Sequence, residues 1–109
     1  MQLLKTLQNW YEAQCNDDWE HQSGITIGTL DNPGWEIKID LIGTKLEKKA
    51  FKEISYGVGQ DSHPESNNWV VCEIKNNQFI GFGGPQKLEE ILDIFLKWAG
   101  YKNLTSGSS

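Results

Sequence analysis

The densest group of side chains that could do chemistry lies at residues 17–21, which read Asp17-Asp18-Trp19-Glu20-His21. Carboxylates beside an imidazole can transfer protons in general acid–base catalysis, and Cys15 could join them around a metal ion. Both kinds of site need side chains that converge from several elements, whereas the only other histidine of the chain is His63. Three interpretations therefore remain open: a solvated loop with Trp19 packed against the core, a protein-binding patch, and a small metal-dependent hydrolase that uses Cys15, Glu20 and His21.

The second candidate is a glycine-rich run between a predicted strand and a predicted helix, Gly81-Phe82-Gly83-Gly84-Pro85. Phosphate-binding loops occupy this position in many folds. The dinucleotide fingerprint is not met, because Gln86 stands at the third glycine position and no strand is predicted after the helix. No serine or cysteine has an adjacent base that could activate it as a nucleophile. We therefore expect a tight strand-to-helix corner here, and no cofactor.

The net charge of the chain limits the kinds of molecule that it could bind. The chain has 109 residues, with ten lysines, no arginine and fifteen acidic residues, so its formal net charge is -5. Arginine is the side chain that best recognises phosphates and guanine, and nucleic-acid binders usually carry a basic stripe. This composition argues against a nucleic-acid partner and favours a basic protein partner. Between residues 12 and 40, seven acidic residues stand against the single Lys38. They are Glu12, Asp17, Asp18, Glu20, Asp31, Glu36 and Asp40.

Two tryptophans are candidate anchors for such a partner, since aromatic side chains dominate the binding energy of many protein interfaces. One is Trp19, inside the acidic run. The other is Trp69, which alternates with the more apolar residues of its predicted strand and would then stand on an exposed sheet face. Packing of the Trp69 ring at the end of the core is the alternative. Trp35 lies on the same face of its predicted strand as the apolar residues and is expected in the core.

These residues must be positioned by a small set of elements. Apolar residues at helical spacing predict two amphipathic helices, at residues 2–14 and 85–99. Between them, alternating apolar residues and turn-forming pairs predict five strands. The strands are expected near residues 25–30, 35–41, 51–58, 69–75 and 78–82. No helix is predicted between strands, so the sheet should be an antiparallel meander, with both helices packed on one face in a two-layer α+β fold.

The size of the chain fits one domain, expected over residues 1–101, with a disordered polar tail at 102–109. Residues 57–68 form the longest polar stretch and should be a mobile loop. Cys15 and Cys72 form no CxxC pair, so two buried thiols in a reducing compartment are expected, with a single disulfide as the alternative. No apolar run approaches the length of a signal-peptide core or of a membrane span. We therefore expect a cytoplasmic protein without a membrane partner.

Three blocks of residues carry a resemblance to a known family. They are Asp18-Trp19-Glu20-His21, Leu30-Asp31-Asn32-Pro33-Gly34-Trp35 and Gly83-Gly84-Pro85. On these residues the chain resembles the immunity protein 53 family of bacteria, over about residues 7–98. The family often has a glycine before the Asp-Trp pair, where this chain has Asp17.

The resemblance implies a cytoplasmic, non-enzymatic protein that binds the toxin domain of a polymorphic toxin system and protects the cell that makes it. It carries no interface residues with it, so the expected interface rests on charge and aromatic side chains. The expected partner-binding residues are Asp17, Asp18, Trp19, Glu20, His21, Asp31 and Trp69. A nuclease with a basic cleft is one suitable toxin, and the protein itself should be a monomer or a weak homodimer. A structural subunit that dimerises through a sheet edge or an open sheet face is a further alternative.

Overall fold

The computed structural model describes residues 2–57 and 68–102 of the chain. Within these residues the elements are α1 (Gln2–Gln14), α2 (Trp19–Gln22), β1 (Ile25–Leu30), β2 (Gly34–Asp40), β3 (Ile54–Tyr56), β4 (Val70–Lys75), β5 (Gln78–Gly83) and α3 (Leu88–Trp98). The structure confirms the predicted α+β class, with five antiparallel strands and a helix at each end. Helix α2 is an addition, because it lies in a stretch predicted as a loop. The expected loop and tail fall largely at 58–67 and 103–109, outside the described residues.

The strand order corrects one expectation. The order is β1-β2-β5-β4-β3 and every pairing is antiparallel, whereas a meander would keep the strands in chain order. The reason lies in residues 41–53, which are too long for a hairpin loop and carry apolar side chains into the core. Leu41 and Leu46 are buried, and the Phe51 ring lies 5.6 Å from that of Phe79. This segment brings β3 to the far edge of the sheet, and β5 takes the place beside β2.

One face of the sheet forms the core with the helices. Its fully buried residues include Ile37, Ile39 and Phe79 on the two central strands. Helix α3 lies close to β5 because position 81 is glycine: a Cβ there would stand 2.4 Å from the Cγ2 atom of Ile91. Helix α1 contacts α3, and it contributes to the same core cluster. Both terminal helices therefore cover the same face.

The two ends of α3 show how the local sequence sets its limits. The helix begins at Leu88 rather than at Pro85, because the intervening residues form a turn in which the Lys87 N–H donates to the Gly84 carbonyl at 3.0 Å. At the other end Gly100 has a φ of 108°. Its N–H donates to the Lys97 carbonyl and that of Tyr101 donates to the Leu96 carbonyl, the pair of bonds that closes many helices.

No helix among the described residues is long and apolar enough to cross a membrane.

Candidate partner-binding surface

The acidic run at residues 17–21 belongs to a small, internally bonded turn. The Asn16 Oδ1 atom accepts the N–H groups of Asp18 and Trp19 at 3.0 and 2.8 Å, which supports the start of α2. The Glu20 carboxylate reaches back and accepts the N–H groups of Asn16 and Asp17, both at 2.8 Å. These reciprocal bonds satisfy four backbone donors and give the turn a defined shape.

The same bonds decide the chemistry of Glu20. Its pKa is lowered by hydrogen bonds from its own backbone N–H and from those of Asn16 and Asp17, and by the nearby His21. The carboxylate is therefore ionised at neutral pH, and its oxygens are occupied by backbone donors. This side chain holds the turn together, and its geometry is not that of a general acid.

Asp17 has a backbone conformation that few residues adopt. Its φ is 73°, in the left-handed region that glycine enters at no steric cost and that aspartate and asparagine tolerate best among the others. A glycine before the Asp-Trp pair, which the family pattern often has, would fit this conformation. With aspartate here instead, the turn displays two adjacent exposed carboxylates, those of Asp17 and Asp18.

Trp19 is buried, at 7% exposure. Its Nε1–H donates to the Ile42 carbonyl at 2.8 Å, and its ring meets the rings of Trp10 and Tyr11 edge-on at 6.1 and 5.9 Å. The interpretation of Trp19 as packed against the core is confirmed. Its ring is not available as an exposed anchor, and it holds the acidic turn against the core.

The residues of the alternative metal site do not converge. Both cysteines are free thiols, and only Cys72 is buried, which corrects the expectation for Cys15. The Cys15 thiol donates to the Tyr11 carbonyl at 3.4 Å, and Glu20 is engaged by the backbone as described. In the part of the chain that the structure describes, no group of three or more His, Cys, Asp or Glu side chains could hold a metal ion.

The glycine-rich corner is built by packing. Its Gly84 N–H donates to the Trp69 carbonyl at 3.1 Å, and the Pro85 carbonyl accepts the Trp35 Nε1–H at 3.0 Å. A Cβ at Gly83 would stand 2.8 Å from the Lys87 Cβ, so glycine is needed for the close approach of α3. The corner is tight, as expected. Trp35 is half-buried and its indole caps this corner, rather than lying in the core cluster.

Asp31 lies far from the acidic turn. It follows β1, in the exposed connection to β2, whereas the turn at residues 17–21 precedes β1. Within the turn, the Trp19 indole bonds to Ile42, just beyond the end of β2, whereas Asp31 lies in the connection at the beginning of that strand. The two exposed acidic groups therefore lie toward opposite ends of the sheet.

Trp69 stands apart from both groups. It directly precedes β4, where Val70 is fully buried on the helix side, so strand alternation places Trp69 with Val71 on the opposite face. It is half-buried. Three strand spacings separate β4 from β1, which amounts to roughly 14 Å. The structure therefore does not bring Trp69 together with the acidic residues of the β1 side.

The carboxylates of residues 12–40 divide into two sets. Three are used inside the fold: Glu20 as described, Glu36 beside the Lys38 ammonium at 3.7 Å, and Asp40, which accepts the Gly24 N–H at 2.9 Å and the Gln78 amide at 2.8 Å. The others are on exposed residues that could meet a partner. They are Glu12, Asp17, Asp18 and Asp31.

A further polar cluster was not singled out by the sequence. The Tyr56 hydroxyl donates to the Glu90 carboxylate, and the Lys87 ammonium lies 3.3 Å from the other oxygen of Glu90. Burial, followed by the bond to Glu90, raises the pKa of Tyr56. The phenol stays protonated at neutral pH, and the cluster ties the edge strand β3 to α3. The three-residue spacing of Lys87 and Glu90 is the only feature of the sequence that could have predicted part of this cluster.

The comparisons with known proteins give one match. The family model described as Immunity protein 53 matches residues 4–100. No curated protein and no solved structure matches the chain.

Proposed function

We propose, from the premise that the chain belongs to the immunity protein 53 family, that it binds a cognate bacterial toxin domain and neutralises it. Binding would cover the active surface of the toxin, or another surface that the toxin needs. The observation that carries this proposal is the family match, which spans nearly the whole chain. Neutralisation by binding requires no chemistry from the protein itself, and its place of action would be the cytoplasm of the producing cell.

Charge supports a basic toxin surface as the target. The chain has a net charge of -5 and no arginine, and the residues Asp17, Asp18 and Asp31 are exposed. Charges of this kind accelerate encounter with a cationic surface and can form charge-assisted hydrogen bonds with lysine and arginine. A nuclease with a basic cleft is a toxin of this description.

The metal-dependent hydrolase has no observation in its favour. Its three residues, Cys15, Glu20 and His21, form separate contacts in the described structure. Metal analysis of the purified protein tests this alternative directly: stoichiometric zinc or manganese would support it.

Co-expression tests the proposal. The toxin domain encoded next to the gene for this chain is induced in cells that do or do not produce the protein, and growth is measured. We expect growth to be restored only when the protein is present, and an unrelated toxin domain to remain lethal. Cell death in the presence of soluble, folded protein would contradict the proposal.

Charge reversal at the opposite sheet edge provides a matched control for the surface. Glu53 is exposed and directly precedes β3, four strand spacings or roughly 19 Å from β1. The Glu53→Lys variant changes the net charge as much as a reversal at Asp18 does. If the surface around Asp18 is the one used, protection survives Glu53→Lys better than Asp18→Lys.

A further inference from the structure

The two edges of the sheet are built differently. Strand β3, at one edge, has three residues, follows Lys52 and Glu53, and is followed by Gly57, whose φ is 75°. Shortness, charge and a sharp turn are the devices by which natural sheets prevent further strands from adding. Strand β1, at the other edge, has six residues, ITIGTL, with no charge and no proline. It carries none of these devices.

The hydrogen bonds show which backbone groups of β1 point away from the sheet. The Asp40 N–H donates to the Gly24 carbonyl at 3.0 Å. Since bonded residues alternate along an antiparallel pair, the register places the ladder bonds at every second residue from Gly24 onward. The N–H and C=O groups of Ile25, Ile27 and Thr29 therefore point outward, and β1 has β2 as its single partner strand among the described residues.

The side chains of β1 leave this edge accessible. Ile27 is 41% exposed although its position is on the core face of the sheet, and Thr26 and Thr29 are also exposed. A Cβ at Gly28 would meet no atom within 4 Å, so a large side chain of a neighbouring strand could lie over this position. An uncharged, β-branched edge with three outward donors and three outward acceptors is the surface that an added strand requires.

Charge decides between the two proteins that could supply that strand. A second copy of this chain would bring the segment at residues 12–40, with seven acidic residues and one lysine, against itself. Exposed acidic residues also flank β1 in the chain: Asp17 and Asp18 precede it, and Asp31 directly follows it. These like charges oppose self-pairing and favour a strand with basic ends.

We propose that an extended segment of the toxin domain, with lysine or arginine near its ends, adds to β1 as a sixth strand. This inference rests on the proposed function and names the surface that would carry it out. Backbone hydrogen bonds to β1 would supply affinity, and the Asp31 carboxylate, directly after β1, would help to set the position of the added strand. The acidic turn, toward the other end of the sheet, would add attraction for a basic segment.

Amide hydrogen exchange tests the inference on the unaltered protein. In the ¹⁵N-labelled free protein, the outward N–H groups of Ile25, Ile27 and Thr29 should exchange fast. In the complex with the purified toxin domain we expect their exchange to slow by about 100-fold or more, since each then donates a hydrogen bond. The amides of β3 should change by less than about threefold.

A proline variant provides the matched functional test. Proline at position 27 removes an outward N–H and leaves the ladder bonds to β2 in place, whereas Ile27→Thr keeps the N–H and removes apolar side-chain surface. We expect Ile27→Pro to weaken toxin binding by about tenfold or more, the equivalent of roughly one lost hydrogen bond and its neighbours. Ile27→Thr should stay within about threefold.

The outcomes separate the inference from the proposed function. If the wild-type protein binds the toxin domain while the outward amides of β1 keep their fast exchange, the added strand is wrong and the function stands. Slow exchange of these amides in a toxin-free dimer, detected by light scattering, would assign the edge to a second copy and overturn the inference. Failure of the wild-type protein to bind the toxin domain overturns both.

Discussion

Trp19 offers the sharpest test of how the acidic turn is held, because the chain contains a matched control. The indole N–H of Trp19 donates to a backbone carbonyl at 2.8 Å, and that of Trp35 donates to another at 3.0 Å. Replacing either residue by phenylalanine removes one such bond and keeps an aromatic ring. The two sites differ in burial: Trp19 is 7% exposed, whereas Trp35 is half-buried.

The expected loss of stability follows from these contacts. One hydrogen bond contributes about 1 kcal/mol net, and this term applies to both variants. Trp19 also makes edge-on contacts with two aromatic rings, worth about 0.5–1.5 kcal/mol each, which a smaller ring keeps only in part. We therefore expect Trp19→Phe to lower the free energy of unfolding by about 2 kcal/mol, and Trp35→Phe by about 1 kcal/mol. For a domain of this size, 2 kcal/mol lowers Tm by roughly 8–10 °C.

Urea unfolding followed by far-UV circular dichroism measures the difference, since tryptophan fluorescence changes with the substitution itself. The rate of association with the toxin domain is the second readout. Trp19→Phe should slow association because the acidic turn loses its support, and Trp35→Phe should leave the rate unchanged. Equal stability of wild type and Trp19→Phe would refute the account of Trp19 as a buried, hydrogen-bonded support.

Three further predictions concern packing, ionisation and charge. Gly81→Ala should destabilise the fold by about 1–3 kcal/mol, because its Cβ would clash with a side chain of α3, while Gly28→Ala, with open space at its Cβ, should stay within about 0.5 kcal/mol of wild type in the same urea titration. Burial, and secondarily a nearby carboxylate, raises the pKa of the Cys72 thiol from 9.0 to about 12. Because the fold favours the protonated thiol, the contribution of Cys72 to stability is complete below pH 9 and is lost as the pH rises to 12, by up to about 1.4 kcal/mol per pH unit. The urea midpoint should therefore fall less steeply between pH 8 and 11 in Cys72→Ala than in the wild type. Equal slopes would contradict this. Reversal of charge at Asp17 and Asp18 should slow association with the toxin domain and flatten its dependence on salt, and an unchanged association rate in stopped-flow measurements would remove both residues from the interface.

Local patterns predicted most of the elements. The spacing of apolar residues predicted the bounds of α1 closely. The predicted strands at 69–75 and 78–82 leave two residues for a turn, and Asn76 and Asn77 form it with φ values of 53° and 60°. Such elements depend on contacts between residues close in the chain, so their signals are local. Helix α2 also depends on residues close in the chain, because the side chains of Asn16 and Glu20 hydrogen-bond to the backbone of its first turn and of the residues before it. Such bonds leave no periodic pattern of apolar residues, so the helix was not predicted.

Strand order and the burial of Trp19 depend on distant residues. The partner of Trp19 is the carbonyl of Ile42, 23 positions away, while its neighbours in sequence are polar, so the sequence left both packing against the core and binding of a partner open. The place of β5 between β2 and β4 depends on the core contacts of residues 41–53, which local patterns do not reveal. The partner-binding residues themselves stay predictions: Asp17, Asp18, His21 and Asp31 are exposed, and binding tests their role.

A titration of the purified toxin domain with this protein tests the central claim most directly. Heat of binding by calorimetry and residual toxin activity are measured on the same samples. The account predicts one binding event at a ratio of one to one, with toxin activity abolished at the same ratio and with affinity that falls as salt is raised. Undiminished toxin activity at a saturating excess of folded protein would contradict it.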